Sequence, residues 1–308
     1  MKIVRRLGAL LSGSAAVVMM SGAAAASPAS AAVDLPDGMT ASYVVFDRAT
    51  GATTARDEHK QYRSASVVKL FIALDYLESH GPDYVIPPED LALLEPMLRS
   101  SDDDAASVLW VRDGWEQIVV RMAAQLGLVD TAPPAARGKW GYTAISAADV
   151  VTTYQYILTQ ADPKYRDFIM GNLHQATKCG SDGFDQSFGI RGALPAPWAY
   201  KQGWSGFGAA PAPGEECVEG EVQAVPDTRE VRAANAAIDR ENARSATMAD
   251  PDIDLTSRAM HTTGTVGAYD EKIVVVLTLE PTTLSWQDSA GRITDLTAAV
   301  YATDPGQD

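Results

Sequence analysis

Cations are scarce in this 308-residue chain: 25 Lys and Arg stand against 40 Asp and Glu, a formal charge of −15. Acidity on that scale disfavours nucleic acid and anionic membranes as partners, since both are polyanionic, and says little about fold. Histidine is scarce too. His59, His80, His174 and His261 show no ligand spacing, so no metal or other cofactor is expected. Cysteine is rarer still, with Cys179 and Cys217 alone. No repeat is present, and after residue 26 no apolar run is long enough to span a bilayer. What remains is an ordinary globular composition, sufficient for one large domain or two small ones.

The first thirty or so residues stand apart. Lys2, Arg5 and Arg6 form a positive start, Leu7 to Ala26 is an apolar run rich in Ala and Gly, and Ala29-Ser30-Ala31 offers a small-x-small cleavage site. This predicts a signal peptide over 1–31 and a mature domain over 32–308, exported and free of the membrane. An uncleaved anchor is the rival reading, although Ala, Gly and Ser make that run a weak one. No cysteine stands at the cleavage site, which disfavours a lipid anchor, and the residues around Arg5-Arg6 fit the twin-arginine route badly. Loss of the three leader cations takes the formal charge from −15 to −18. In an exported chain the two cysteines are expected as one disulfide, Cys179–Cys217, with two free thiols as the alternative.

Thr40–Asp47 reads as a strand, Ala49-Thr50-Gly51 as a turn, and Ala52–Arg56 as a short partner strand. A buried helix with Ser66 in its first turn follows, its apolar run going from Val67 to about Leu77. Helical periodicity then covers Glu89–Leu98, Asp103–Arg112, Trp115–Leu126, Ala147–Thr159 and Pro163–Leu173. Strand character returns at Trp198–Trp204, Ser257–Val266 and Lys272–Leu279, before a closing helix over Ile293–Tyr301. Residues 205–254 read as a long Pro/Gly-rich and acidic surface insertion with one helix near Glu230–Ala243, which the expected disulfide would tie back. The order implies an α+β fold: an antiparallel sheet built from both chain ends (about 32–78 and 185–308), flanked by helices, with an inserted helical part over about 79–184.

Chemistry enters at Ser66-Val67-Val68-Lys69. Residues three apart share a helix face, so the lysine amine can lie beside the serine hydroxyl and, crowded by cations in low dielectric, take its proton. The tetrapeptide alone is weak, since about one chance match is expected in a chain of this length. Two further triplets join it: Ser101-Asp102-Asp103 between two helices, and Lys201-Gln202-Gly203 on the first late strand.

In order and context the three motifs resemble those of the penicillin-recognising serine acyl-transferases, the class A β-lactamases and penicillin-binding D,D-peptidases, over nearly the whole mature chain. The resemblance implies that Ser66 is acylated, Lys69 serves as base or relay, Ser101 shuttles a proton to the leaving group, and Lys201 holds a ligand carboxylate. It also implies an oxyanion hole of the Ser66 and Trp204 backbone N–H groups. Asp103, Gln202, Gly203, Trp204 and Arg258 become substrate-binding residues, and a β-lactam or peptidoglycan stem peptide the ligand. Each residue has a bland rival. Ser101–Asp104 can cap a helix, Lys201 can be a solvated edge residue, Gly203 can mark a bulge, and Arg258 can make a surface ion pair. Trp198, Tyr200 and Trp204 can line a cleft or simply pack, and His261 reads as structural.

Three departures bear on activity. Asp103 stands where the pattern has Asn and, ionised, cannot donate a hydrogen bond. Gln202 stands for Thr. The stretch from Leu126 to Val150 holds no glutamate, only Asp130 and Asp149, whereas class A β-lactamases carry their deacylating glutamate there. The expectation is a serine hydrolase that acylates Ser66 and turns over β-lactams slowly. A true class A β-lactamase and a non-catalytic binding protein of the same fold are the alternatives.

Overall fold

The computed structural model describes residues 33–218, 220–245 and 253–303. The leader read over 1–31 lies outside them, and so does part of the 205–254 insertion.

Five antiparallel strands form the main sheet: β1 (Thr40–Asp47), β2 (Thr53–Arg56), β5 (Trp198–Ser205), β6 (Arg258–Val266) and β7 (Lys272–Glu280), in the order β2-β1-β7-β6-β5. The first hairpin therefore docks on the last strand, with Val44 opposite Val275 and Phe46 opposite Ile273. The mixed helix and antiparallel sheet fold expected from element order is the one observed. Two short strands, β3 (Tyr62–Arg63) and β4 (Ala144–Ile145), pair separately.

Strand alternation sends successive side chains to opposite faces. Tyr43, Val45, Val274 and Val276 point to one side and meet Trp286, Ile293, Leu296 and Val300 of α9 (Trp286–Ala302), while Val44, Val275 and Leu277 point to the other and join the helical half. Both faces are covered, so β1 and β7 read as continuous apolar runs rather than as alternating ones. α9 begins seven residues before the sequence expectation. Its first turn is polar in sequence, but Ser285 caps it by accepting from Asp288 N at 3.0 Å, and Trp286 is buried.

The helical half packs around α1 (Lys69–His80), whose Leu70, Phe71, Ile72, Ala73, Leu74 and Tyr76 are all inaccessible. Around it stand α2 (Pro88–Arg99), α3 (Asp103–Arg112), α4 (Gln117–Leu126), α5 (Ala147–Thr159) and α6 (Pro163–His174), with the single turn α7 (Ile190–Ala193) leading into β5. A helix apolar on every side must be central, which is why α1 is. Ahead of it, Ala65–Val68 forms a 3-10 turn, so Ser66 sits just before α1 rather than within its first turn.

Within the insertion, α8 (Arg229–Arg244) packs on α3. Gln223 N donates to Ser100 Oγ at 2.8 Å and Val225 N to Asp102 Oδ2 at 3.1 Å, so the segment is stitched to the start of α3. Cys179 and Cys217 are bonded across 38 residues of chain. Arg63, buried, donates to Ser205 Oγ and to the carbonyls of Ser205, Asp254 and Ser257, gathering both ends of the insertion. Among the described residues no helix is long and apolar enough to cross a membrane, and no His, Cys, Asp and Glu group could hold a metal.

Two stability measurements follow. A Cys179→Ser/Cys217→Ser variant should lose roughly 3–4 kcal/mol of unfolding free energy in urea, the loop-closure value for a loop of this length. His261 is buried between Arg63 O and Thr278 N, and burial lowers its pKa to about 4. The unfolded chain then binds a proton below pH ~6.5 that the folded chain refuses until about pH 4. Stability should fall as pH drops through that window by roughly 2–3 kcal/mol from this group, a slope that His261→Gln should flatten in urea melts.

Candidate active site

Three elements bring the sequence motifs together: the Ala65–Val68 turn, the α2–α3 junction, and edge strand β5. Lys69 Nζ lies 2.9 Å from Ser66 Oγ and 3.3 Å from Ser101 Oγ, and Lys201 Nζ lies 2.8 Å from Ser101 Oγ. The four groups form one unbroken chain of contacts. Ser66, 6% exposed, lines a cavity of about 450 Å³.

Backbone conformation aims these groups. Ser101 has φ of +58° and Ala65 +46°, the left-handed region that non-glycine residues enter at a cost. At Ser101 this conformation presents both the hydroxyl and the carbonyl to Lys69, with the carbonyl accepting at 2.5 Å. Asp102 caps α3 by accepting from Ala105 N, so capping and site-building coexist in one triplet. Gly203 is required by proximity: a Cβ there would lie 2.8 Å from Ser64 O and 3.3 Å from Ser66 N. Its bareness lets β5, whose outer edge carries no further strand, run against the turn that holds Ser66.

The two lysines differ electrostatically. Lys69, fully buried, meets the Asp103 carboxylate at 2.5 Å and the Trp140 ring at 5.0 Å. Among the described residues Lys201 has no carboxylate in contact. Burial first, and the neighbouring Lys69 ammonium second, hold its amine well below the usual lysine range. Asp103 is therefore the ion-pair partner of Lys69, with its side chain 64% exposed at the cavity.

Two expected binding residues are not brought to the cavity. Gln202 follows Lys201 on a strand and so points to the opposite face, fully buried, donating to Phe188 O at 2.6 Å and Gln186 O at 3.3 Å. Arg258 stacks its guanidinium 4.9 Å over Phe207 and lines a separate hollow with Glu215 and Trp286. Trp204 does line the cavity, its indole N–H donating to Asp182 Oδ2 at 2.9 Å.

Asp182 was not foreseen. It sits on a turn three residues after Cys179, and its only sequence signal is that proximity to the disulfide. Burial, then Asp103, raise its carboxyl above the ordinary range against the lowering pull of its hydrogen bonds. Also unforeseen are Trp140 and Tyr142 from the loop before β4, and Asn235 and Asn242 from α8, all on the cavity wall. The acids of the 126–150 loop are committed elsewhere. Asp130 accepts from Ser146 Oγ at 2.8 Å and pairs with His59, while Asp149 accepts from Val129 N, Asp130 N and Thr131 Oγ1.

Solved structures share this architecture. Penicillin-binding protein PBP-A, in a substituted form as its acyl-enzyme with penicillin G, superposes at TM-score 0.56 and 13% identity, over 86% of this chain and 90% of that one. A class A β-lactamase from Mycobacterium abscessus does so at TM-score 0.56 and 15% identity, over 86% and 94%. The fold is thus that of the class A β-lactamases and penicillin-binding proteins. No protein-family model matches the chain. By sequence, LppW of Mycobacterium tuberculosis H37Rv, named as a candidate lipoprotein, is 41% identical over 172 residues, 54% of each protein. The match spans about half the length of those curated relatives.

Substitution of Gly203 tests the geometry. Gly203→Ala must push β5 from the Ser66 turn, and should cut the rate of covalent labelling at Ser66 by roughly a hundredfold while the protein stays folded by circular dichroism.

Proposed function

We propose that this protein is an exported serine acyl-transferase of the β-lactamase and penicillin-binding type, acylated at Ser66. The observation that carries the reading is the continuous Ser66–Lys69–Ser101–Lys201 chain, at 2.9, 3.3 and 2.8 Å. Lys69, held beside Asp103, passes a proton to Ser101, whose own proton moves to the Lys201 amine, which burial holds well below the usual lysine range. The freed Lys69 amine takes the Ser66 proton as Oγ attacks the acyl carbon. Ser101 then protonates the leaving group and recovers a proton from Lys201, so the relay ends as it began. The Ser66 and Trp204 backbone N–H groups serve as oxyanion donors, each worth roughly 3–4 kcal/mol in such sites.

Deacylation is slow on this reading. The loop that would carry a glutamate has none, and its two aspartates are occupied by structural hydrogen bonds. The same observation, with the Asp103–Lys69 ion pair, favours a second reading in which the fold binds cell-wall peptides without turnover. Export agrees with the leader sequence and the disulfide; both cysteines are joined to each other, so neither is left to carry a lipid.

Intact mass spectrometry separates the readings. Incubation with a fluorescent penicillin and, in parallel, with 4-nitrophenyl acetate should give a persistent adduct on Ser66 from at least one donor, absent in Ser66→Ala. No adduct from either favours the binding protein. Fast nitrocefin hydrolysis that Ser66→Ala abolishes would contradict slow turnover and identify a true β-lactamase.

A further inference from the structure

The walls around Ser66 carry the wrong charge for a donor that ends in a carboxylate. Asp103, Asp104 and Asp182 line the cavity, against one exposed cation, Lys139. Asp103 is compensated by Lys69, and Asp104 accepts from Asn235 Nδ2 at 2.7 Å. Asp182 differs. Among the described residues its oxygens accept only from Phe184 N at 3.2 Å and Trp204 Nε1 at 2.9 Å, with no cation in contact and lone pairs open.

The groups that would receive a carboxylate are absent from this wall. Arg258 faces another hollow, Gln202 lies on the far side of the sheet, and the Lys201 amine is buried against Ser101. Instead Trp140, Tyr142 and Trp204 line the cavity beside the acids. Aromatic rings next to carboxylates are the surface that attracts an ammonium, by ring quadrupole and by charge together. Asn242, also on the wall, holds a buried amide oxygen that no donor meets among the described residues.

The turn bearing Asp182 is held from three sides. Ser181 N donates to Ser100 O at 2.8 Å, Cys217 N donates to Gly183 O at 2.8 Å, and the Cys179–Cys217 bond closes the loop. A carboxylate so fixed cannot swing away from an incoming anion, and it need not be ordered to meet a cation.

We propose that Asp182 makes the Ser66 cavity selective for acyl donors that carry an ammonium group, and against donors with a carboxylate near the reacting carbonyl. This rests on the acyl transfer proposed above. It assigns Asp182 to specificity, through direct contact with the donor.

Two near-isosteric activated esters test it: the 4-nitrophenyl esters of 6-aminohexanoate and of adipate. In each, Ser66 Oγ bonds to the acyl carbon as the bond to 4-nitrophenolate breaks, and the serine proton passes to the amine relay. The readout is kcat/KM for each ester after subtraction of the Ser66→Ala rate. The ammonium ester should be preferred by at least about tenfold at low salt, and Asp182→Asn should reduce that ratio by roughly tenfold. An adipate ester that matches the ammonium ester, or an Asp182→Asn protein that keeps the wild-type ratio, overturns the inference. Should Asp182→Asn fail to fold, the wild-type ratio decides: it should shrink from about 20 to about 500 mM NaCl, and a ratio unmoved by salt overturns it. Ser66-dependent release without charge preference removes the Asp182 inference alone. No Ser66-dependent release from either ester removes the acyl-transfer reading with it.

Discussion

Two lysine amines buried on either side of one serine hydroxyl set the terms for everything around them. Taking a cation out of water costs several kcal/mol unless it is paired or loses its proton. The fold answers the problem differently at the two positions. Lys69 receives a carboxylate, a carbonyl and an aromatic face. Among the described residues Lys201 receives little more than the Ser101 oxygen and a carbonyl at 3.3 Å, and burial holds its amine well below the usual lysine range. An amine paired with a carboxylate and an amine without one among the described residues thus flank the same hydroxyl.

Holding such a group in place demands rigidity, and the surroundings supply it. Ser66 precedes a helix buried on every side, Lys201 lies on a sheet covered on both faces, and Ser101 is fixed by a left-handed backbone between α2 and α3. Gly203 lets the strand and the turn approach closely enough for the pieces to meet. The insertion after β5 adds a wall rather than an ornament. α8 packs on α3 and presents Asn235 and Asn242 to the cavity, while Arg63 gathers the insertion's two ends. Site shape therefore depends on a segment whose sequence is among the least regular in the chain.

Several parts are legible in the sequence. The strand and helix order of the main sheet and helical half follows from hydrophobic periodicity, because burial on one or two faces writes itself directly into residue spacing. Ser66 and Lys69 were legible because three residues of spacing fixes their proximity locally. Gln202 was misplaced although the needed rule was at hand: neighbours on a strand face opposite sides, so Lys201 and Gln202 cannot both turn inward. α9 was shortened because its first turn is polar and Gly291 interrupts the pattern, while the capping Ser285 and buried Trp286 act through tertiary contact.

By itself the sequence determined the α+β order, the pairing of Ser66 with the Lys69 amine, and an acidic, cation-poor composition, since each is set by residue identity or by separations of a few positions. Only the tertiary structure decided that Asp103 would pair with Lys69, that Arg258 would face away, and that Asp182 would stand unpaired on the cavity wall. These are meetings between segments tens of residues apart. Their distances depend on how closely β5, α3 and the disulfide-bound turn approach one another, which no local spacing encodes.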